Sequence, residues 1–199
     1  MLNSVLKGGK LMSTTQPIRE YADVRKLKEY FLERGEYRDY MLITVCLNSA
    51  LRICDVISLK WEDILENDNS TIKKHIELKE KKTSKKAVIF INNQIKNAVK
   101  LYIKEVGINS EYLFPSRKGG HITRYRAFEI INKAGLNVGL DYNISCHSLR
   151  KTFGYHAWKK GVQPVLLMNI YNHCSFNITK RYLGINQEDK DRVYKNIEL

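Results

Sequence analysis

The chain has 199 residues, the length of one domain of ordinary size with short arms. Its 43% hydrophobic content supports a buried core and argues against a disordered chain. Lys and Arg outnumber Asp and Glu by 34 to 21, a net charge of +13. Such a field attracts polyanions, nucleic acid first among them, although charge alone also fits a merely soluble basic protein. No stretch reaches the roughly 18 consecutive apolar residues of a membrane span. The opening MLNSVLKGGKLMSTTQ lacks the apolar core of a secretory signal, so a cytoplasmic location is expected. Cys46, Cys54, Cys146 and Cys174 show no paired spacing and are expected to be free thiols.

In chain order, residues 1–16 are polar and aperiodic and read as a flexible arm. Leu27, Tyr30 and Phe31 mark a helix over Asp23–Arg34 that Gly35 ends. Tyr37–Leu47 is apolar on nearly every side, the pattern of a buried central helix. Asn48 and Ser49 break it, and a short third helix is expected over Arg52–Leu59. Two strands, Lys74–Lys79 and Ala87–Ile91, flank a basic turn too short for a parallel crossover, so they form an antiparallel hairpin. Further helices are expected over Gln94–Glu105, Arg124–Gly135, Ser148–Lys160, Pro164–Tyr171 and Asn177–Leu183, with a loop at Pro115–Gly120. The fold class is therefore mainly α with a small antiparallel β-sheet.

Four clusters carry candidate chemistry. Arg52 sits between two helices in Ser49–Ile64, where its planar guanidinium can clamp an anion or pair with Asp55 three residues on. Lys79–Lys86 holds Lys81, Lys82 and Lys85, either a solvated hairpin tip or a source of a lysine that protonates a leaving oxygen. His147 and Arg150 share one helical face at i, i+3, a weak signal alone. The stretch Asn172–Leu183 contains His173 and Tyr182. A tyrosine hydroxyl titrates near pH 10 and needs nearby cations to become a nucleophile, and most of the twelve tyrosines must serve packing. A zinc reading of Cys146, His147, His173 and Cys174 fails, because two Cys-His dipeptides lack the spacing of zinc modules.

Taken in order, these clusters resemble the catalytic domain of the tyrosine recombinase (phage integrase) family. That family carries an arginine in a G-L-R-[IV]-x-[DE]-like box, a hairpin lysine often in K-T-x-K, an H-x-x-R box, a [GN]-H box and a tyrosine nine residues beyond. Here Arg52, Lys82, His147, Arg150, His173 and Tyr182 fill those positions, and Leu51, Leu59, Trp61 and Asp63 match the frame of the first box. The resemblance spans about Pro17 to Leu183. It departs at Ala50, where a glycine is usual, and at Tyr171-Asn172-His173-Cys174-Ser175, where L-G-H-S-S is common. Members usually carry an additional N-terminal helical domain that completes a clamp around DNA.

The resemblance implies a catalytic domain over residues 17–186 and a tail over 187–199 that docks on a neighbouring protomer. It implies double-stranded DNA as substrate, self-assembly on DNA as a dimer or tetramer, a possible accessory DNA-binding protein, and no metal or nucleotide cofactor. Arg52 and Arg150 would hold the scissile phosphate, His173 another of its oxygens, and His147 would take the proton from Tyr182 or orient the phosphate. Tyr182 would form a 3′-phosphotyrosine, Lys82 would protonate the 5′ oxygen, and Asp55 would support the site. Type IB topoisomerases use the same chemistry, and a non-catalytic DNA-binding regulator of a mobile element is the alternative from another class.

Overall fold

The computed structural model describes residues 15–197 other than 69 and 186, so all but the last two residues of the expected arm lie outside it. The first helices are α1 (Tyr21–Glu33) and α2 (Tyr37–Ser49). In α1, Leu27 and Phe31 fall four apart and point into the core. Helix α2 is buried continuously from Met41 to Leu47, as an all-round apolar helix must be. It packs against α1, α5 (Asn93–Glu105) and α7 (Cys146–Lys159), and is the axis of the fold.

Ser49 ends α2 and Ala50 follows in the left-handed region at φ 56°. This conformation costs a non-glycine residue about 1–2 kcal/mol. The Ala50 methyl, 1% exposed, packs beside Leu167, Tyr171 and Leu183. A buried methyl returns about 0.8 kcal/mol, which explains how alanine is tolerated where the resemblance calls for glycine.

The reversal at Ala50 leaves Arg52 extended, at φ −74° and ψ 148°. The third helix is consequently shorter than expected, α3 (Ile53–Val56), with Arg52 as its N-cap residue rather than a helical residue. A further turn, α4 (Trp61–Ile64), escaped the periodicity because four residues are too few to show it; Lys60 N donates to Asp63 Oδ2 at 2.8 Å and starts it.

Strands β1 (His75–Lys79) and β2 (Lys86–Phe90) form the antiparallel hairpin, with His75 opposite Phe90 and Lys79 opposite Lys86. Ile76 buries one face of it. Helix α6 (Arg124–Asn137) is capped by Thr123, whose hydroxyl accepts from Arg126 N at 3.0 Å. Ser145 caps α7 by accepting from His147 N at 3.2 Å. The C-terminal part is built from α8 (Pro164–Ile170), α9 (Phe176–Leu183) and α10 (Gln187–Asn196), the last within the expected tail. Gly184, left-handed at φ 60°, ends α9. Lys159 Nζ reaches Asp189 Oδ1 at 2.5 Å and ties α10 to α7. The four cysteines are free. Among the described residues, no helix is long and apolar enough to cross a membrane.

Candidate active site

Tyr182 projects from the last turn of α9 and His147 from the first turn of α7. The Tyr182 hydroxyl lies 2.7 Å from His147 Nε2, a hydrogen-bonding distance, and the two rings meet edge to face with centroids 5.3 Å apart. Partial burial, then the charges of Arg150, Lys151, Lys82 and Arg52, hold the His147 imidazole below its ordinary range. His147 is therefore neutral at neutral pH. In the neutral tautomer that carries its proton on Nδ1, Nε2 is the acceptor for the tyrosine's hydrogen.

One turn along α7, Arg150 is only 2% exposed. A buried guanidinium demands partners, and it finds two carbonyls. It donates through Nη1 to Ala50 O and through Nη2 to Tyr171 O, the latter at 3.0 Å. Tyr171 returns a bond from its hydroxyl to Arg150 O at 2.8 Å, and its ring lies 4.7 Å beneath the guanidinium carbon. A guanidinium has five N–H donors, so donors remain for an anion. Arg150 Nε is buried and has no hydrogen-bond partner among the described residues, so its N–H remains available as a donor. The Tyr182 ring centroid is 5.8 Å from the same guanidinium carbon, which places the tyrosine beside Arg150.

His173 follows Asn172, which is left-handed at φ 54°. Asparagine tolerates that region better than most residues, so it replaces the usual glycine at modest cost. The His173 ring stacks on Tyr171 at 5.0 Å and 17°, and meets the Tyr182 ring at 4.7 Å and 70°. Its Nδ1 lies 3.0 Å from Thr179 Oγ1, one face of a clasp that fixes the ring. Burial, then Arg150 and Arg52, push its pKa down to about 4.

Arg52 differs from expectation in its partner. The expected pair with Asp55 required both on one helical face, but Arg52 precedes the helix and turns to Glu80 instead, Nη1 to Oε1 at 2.7 Å. Asp55 Oδ1 accepts from Lys81 N at 2.9 Å and so braces the hairpin. Lys82 stands exposed at the hairpin turn, and of the three hairpin lysines it is the one whose charge depresses His147. The structure thus brings the six residues together: Tyr182 contacts His147, His173 and Arg150, and the charges of Arg52 and Lys82 act on the adjoining His147. Glu80, Tyr171, Thr179 and Gly154 were not foreseen. Gly154 matters because a Cβ there would stand 2.2 Å from the Tyr171 hydroxyl.

The Phage integrase family pattern matches residues 20–189. The chain is 38% identical over 185 residues to the "Probable integrase/recombinase YoeC" of Bacillus subtilis (strain 168), covering 92% of this chain and 97% of that protein. It is 25% identical to a "Tyrosine recombinase" of Pseudothermotoga lettingae over 89% of this chain and 59% of that one. Among solved structures it resembles XerA recombinase, with a TM-score of 0.73 and 18% identity over 92% of this chain and 66% of that one. It also resembles a lambda integrase dimer bound to a COC′ core site, with a TM-score of 0.66 and 16% identity over 94% of this chain and 65% of that one. The chain therefore spans slightly over half to two thirds of the longer relatives and nearly all of the Bacillus one. With the family pattern running across the whole of the Arg52 to Tyr182 site, the chain belongs to the phage integrase family, whose members are tyrosine-type site-specific DNA recombinases.

Proposed function

We propose that Tyr182 attacks a phosphate of double-stranded DNA, forming a phosphotyrosine at the 3′ end and releasing the 5′ oxygen. The observation that carries this reading is the 2.7 Å pair of Tyr182 and His147 beside a buried arginine whose Nε has no partner among the described residues. As the new P–O bond forms, the tyrosine proton passes to His147 Nε2. Arg52 and Arg150 take up charge on the non-bridging oxygens, and His173 donates to another. Removing one such preorganised donor typically costs about 10²–10³ in rate. As the P–O5′ bond breaks, Lys82 gives its proton to the departing oxygen. Asp55 supports this by holding Lys81 N and hence the hairpin. The phosphodiester energy is kept in the covalent link, so resealing or strand transfer needs no ATP, and the arginines supply the positive charge without a metal.

Residues 17–186 act as the catalytic domain, working in the cytoplasm on DNA. Self-assembly as a dimer or tetramer on paired sites, with or without an accessory DNA-binding protein, suits the exposed Val193, Tyr194 and Ile197 of the tail, which face no core. Cleavage of a nicked suicide duplex from the DNA flanking the gene tests the reading on a denaturing gel. A protein–DNA band is expected from the native chain and none from Tyr182→Phe. Tight binding without any band from the native chain would instead mean a non-catalytic regulator. Relaxation of plasmid lacking a specific site would mean topoisomerase-like activity.

A further inference from the structure

Glu80 lies beside the clasp with its side chain 2% exposed, as buried as Asp55, in a hairpin otherwise full of lysines. One oxygen meets Arg52 Nη1 at 2.7 Å and the other accepts from Thr83 Oγ1, the residue after Lys82. The side chain of Asn172, next to His173, lies close enough to help hold its carboxyl below the ordinary range. Its own backbone closes the turn: Glu80 N donates to Lys85 O at 2.9 Å, and Ser84 N donates to Glu80 O at 2.8 Å. Ser84 adopts φ 55°, so the turn is held in a conformation that a serine rarely takes unaided. One carboxylate thus joins the arginine stretch, the hairpin tip and the histidine turn, which are separate in sequence.

We propose that Glu80 is a positioning residue that docks the hairpin on Arg52 and thereby presents Lys82 to the leaving 5′ oxygen. This deepens the reading above and rests on it. Two alternatives in the hairpin are weaker. The other charged contact there, Lys86 with Glu77 at 3.0 Å, joins side chains that are 72% and 60% exposed, and pairs so open to water hold little. The Asp55 bond reaches only the backbone of Lys81 and does not touch an arginine. The buried pair at Glu80 is different, because a carboxylate so enclosed must be satisfied or the hairpin must move.

The test compares the native chain with Glu80→Gln and with Thr83→Val, which removes one donor to Glu80 and leaves its pair with Arg52 in place. Single-turnover cleavage is measured on a duplex with the ordinary bridging oxygen and on one with sulfur in place of the 5′ bridging oxygen. A thiolate departs without a proton donor, so sulfur relieves a defect in lysine presentation and leaves other defects in place. The expected loss on oxygen is about 10²-fold for Glu80→Gln and about 10-fold for Thr83→Val, shrinking to within about 3-fold on sulfur, while DNA affinity stays within about 3-fold. Amide exchange of Lys81–Lys85 in the free protein should rise at least about 10-fold in both variants. Equal losses on oxygen and sulfur, native cleavage by Glu80→Gln, or unchanged hairpin exchange would each overturn the proposal. If the native chain itself forms no covalent complex, the Tyr182 reading falls, and the exchange measurement still decides whether Glu80 docks the hairpin.

Discussion

The two sides of the site rest on different foundations. Arg52, the hairpin and the start of α7 are rooted in the main core, through Leu51, Val56, Ile76 and Leu149 among many others. The nucleophile side, α8 and α9, closes over a small separate cluster of Ala50, Leu167, Tyr171 and Leu183. Val165, Leu166 and Ile170 on α8 are exposed, so most of that helix's apolar surface contributes nothing to burial. The hairpin and Arg52 therefore sit on the larger core, while Tyr182 is placed chiefly by polar and aromatic contacts with His147, Tyr171 and His173. Local stability follows buried apolar contact, which makes α8 and α9 the part that opens first.

Removing Arg150 breaks this comparison most severely. Its side chain donates to Ala50 O after α2 and to Tyr171 O after α8, and so joins the two segments of the smaller cluster to α7. Arg150→Ala leaves both carbonyls unpaired, about 1–3 kcal/mol each, and deletes the proposed phosphate clamp. Cleavage should drop about 10²–10³-fold or more in single-turnover assays. Arg150→Lys keeps the charge but has no fork to span the two carbonyls, so recovery to near the native rate would show that the bridge is dispensable.

Gly154→Ala comes next and acts without touching a charged group. The added methyl would meet the Tyr171 hydroxyl at 2.2 Å, and Tyr171 must shift. Overpacking of this kind costs about 1–3 kcal/mol. Because Tyr171 supports Arg150 and stacks on His173, cleavage should slow by more than DNA binding weakens. Equal cleavage by this variant and the native chain would mean that the aromatic stack does not place the nucleophile.

The two cores can then be compared directly. Leu42→Ala in α2 and Leu167→Ala in α8 both empty fully buried sites, and such changes usually cost about 2–5 kcal/mol. In α2 the loss should appear in the global melting transition. In α8 it should appear mainly as faster amide exchange in α8 and α9, with a smaller shift of the melt. An identical fall in melting temperature for both would show one cooperative unit instead of two.

How much of this was legible in the sequence follows from the reach of each contact. The helices of the main core showed because their apolar residues repeat along a single segment, as Ile95, Val99 and Tyr102 do in α5. Arg52, Lys82, His147, Arg150, His173 and Tyr182 were found as a linear order of residues and stand together in the fold. The pair of Arg52 with Glu80 could not be read, since it joins segments 28 residues apart and depends on a left-handed turn at Ala50. Periodicity suggested a helix through Arg52, and with it the wrong partner, Asp55. Tyr171 looked like a helix-ending packing residue; its hydroxyl bond to Arg150 O exists only because Gly154 leaves room.

The smallest expected effect is on pH, and it separates the two sides once more. Both active-site histidines lie on or against the nucleophile and are held below the ordinary imidazole value of about 6.5, His173 down to about 4. As the pH falls below about 6.5, the unfolded chain takes up protons that the folded site refuses, so the site loses stability across the window from about 6.5 toward those lower values. For catalysis the sign is the same. In the proposed mechanism neutral His147 accepts the Tyr182 proton, and it stays neutral until the pH passes below its depressed value. Single-turnover cleavage should therefore stay level as pH is lowered from 8 through about 6.5 and decline only beneath it. Exchange in α8 and α9 should quicken over the same acid range before α2 responds. A rate already halved at pH 7 would show that His147 is charged in the working complex, and that its bond to Tyr182 serves to orient the phosphate rather than to receive the proton.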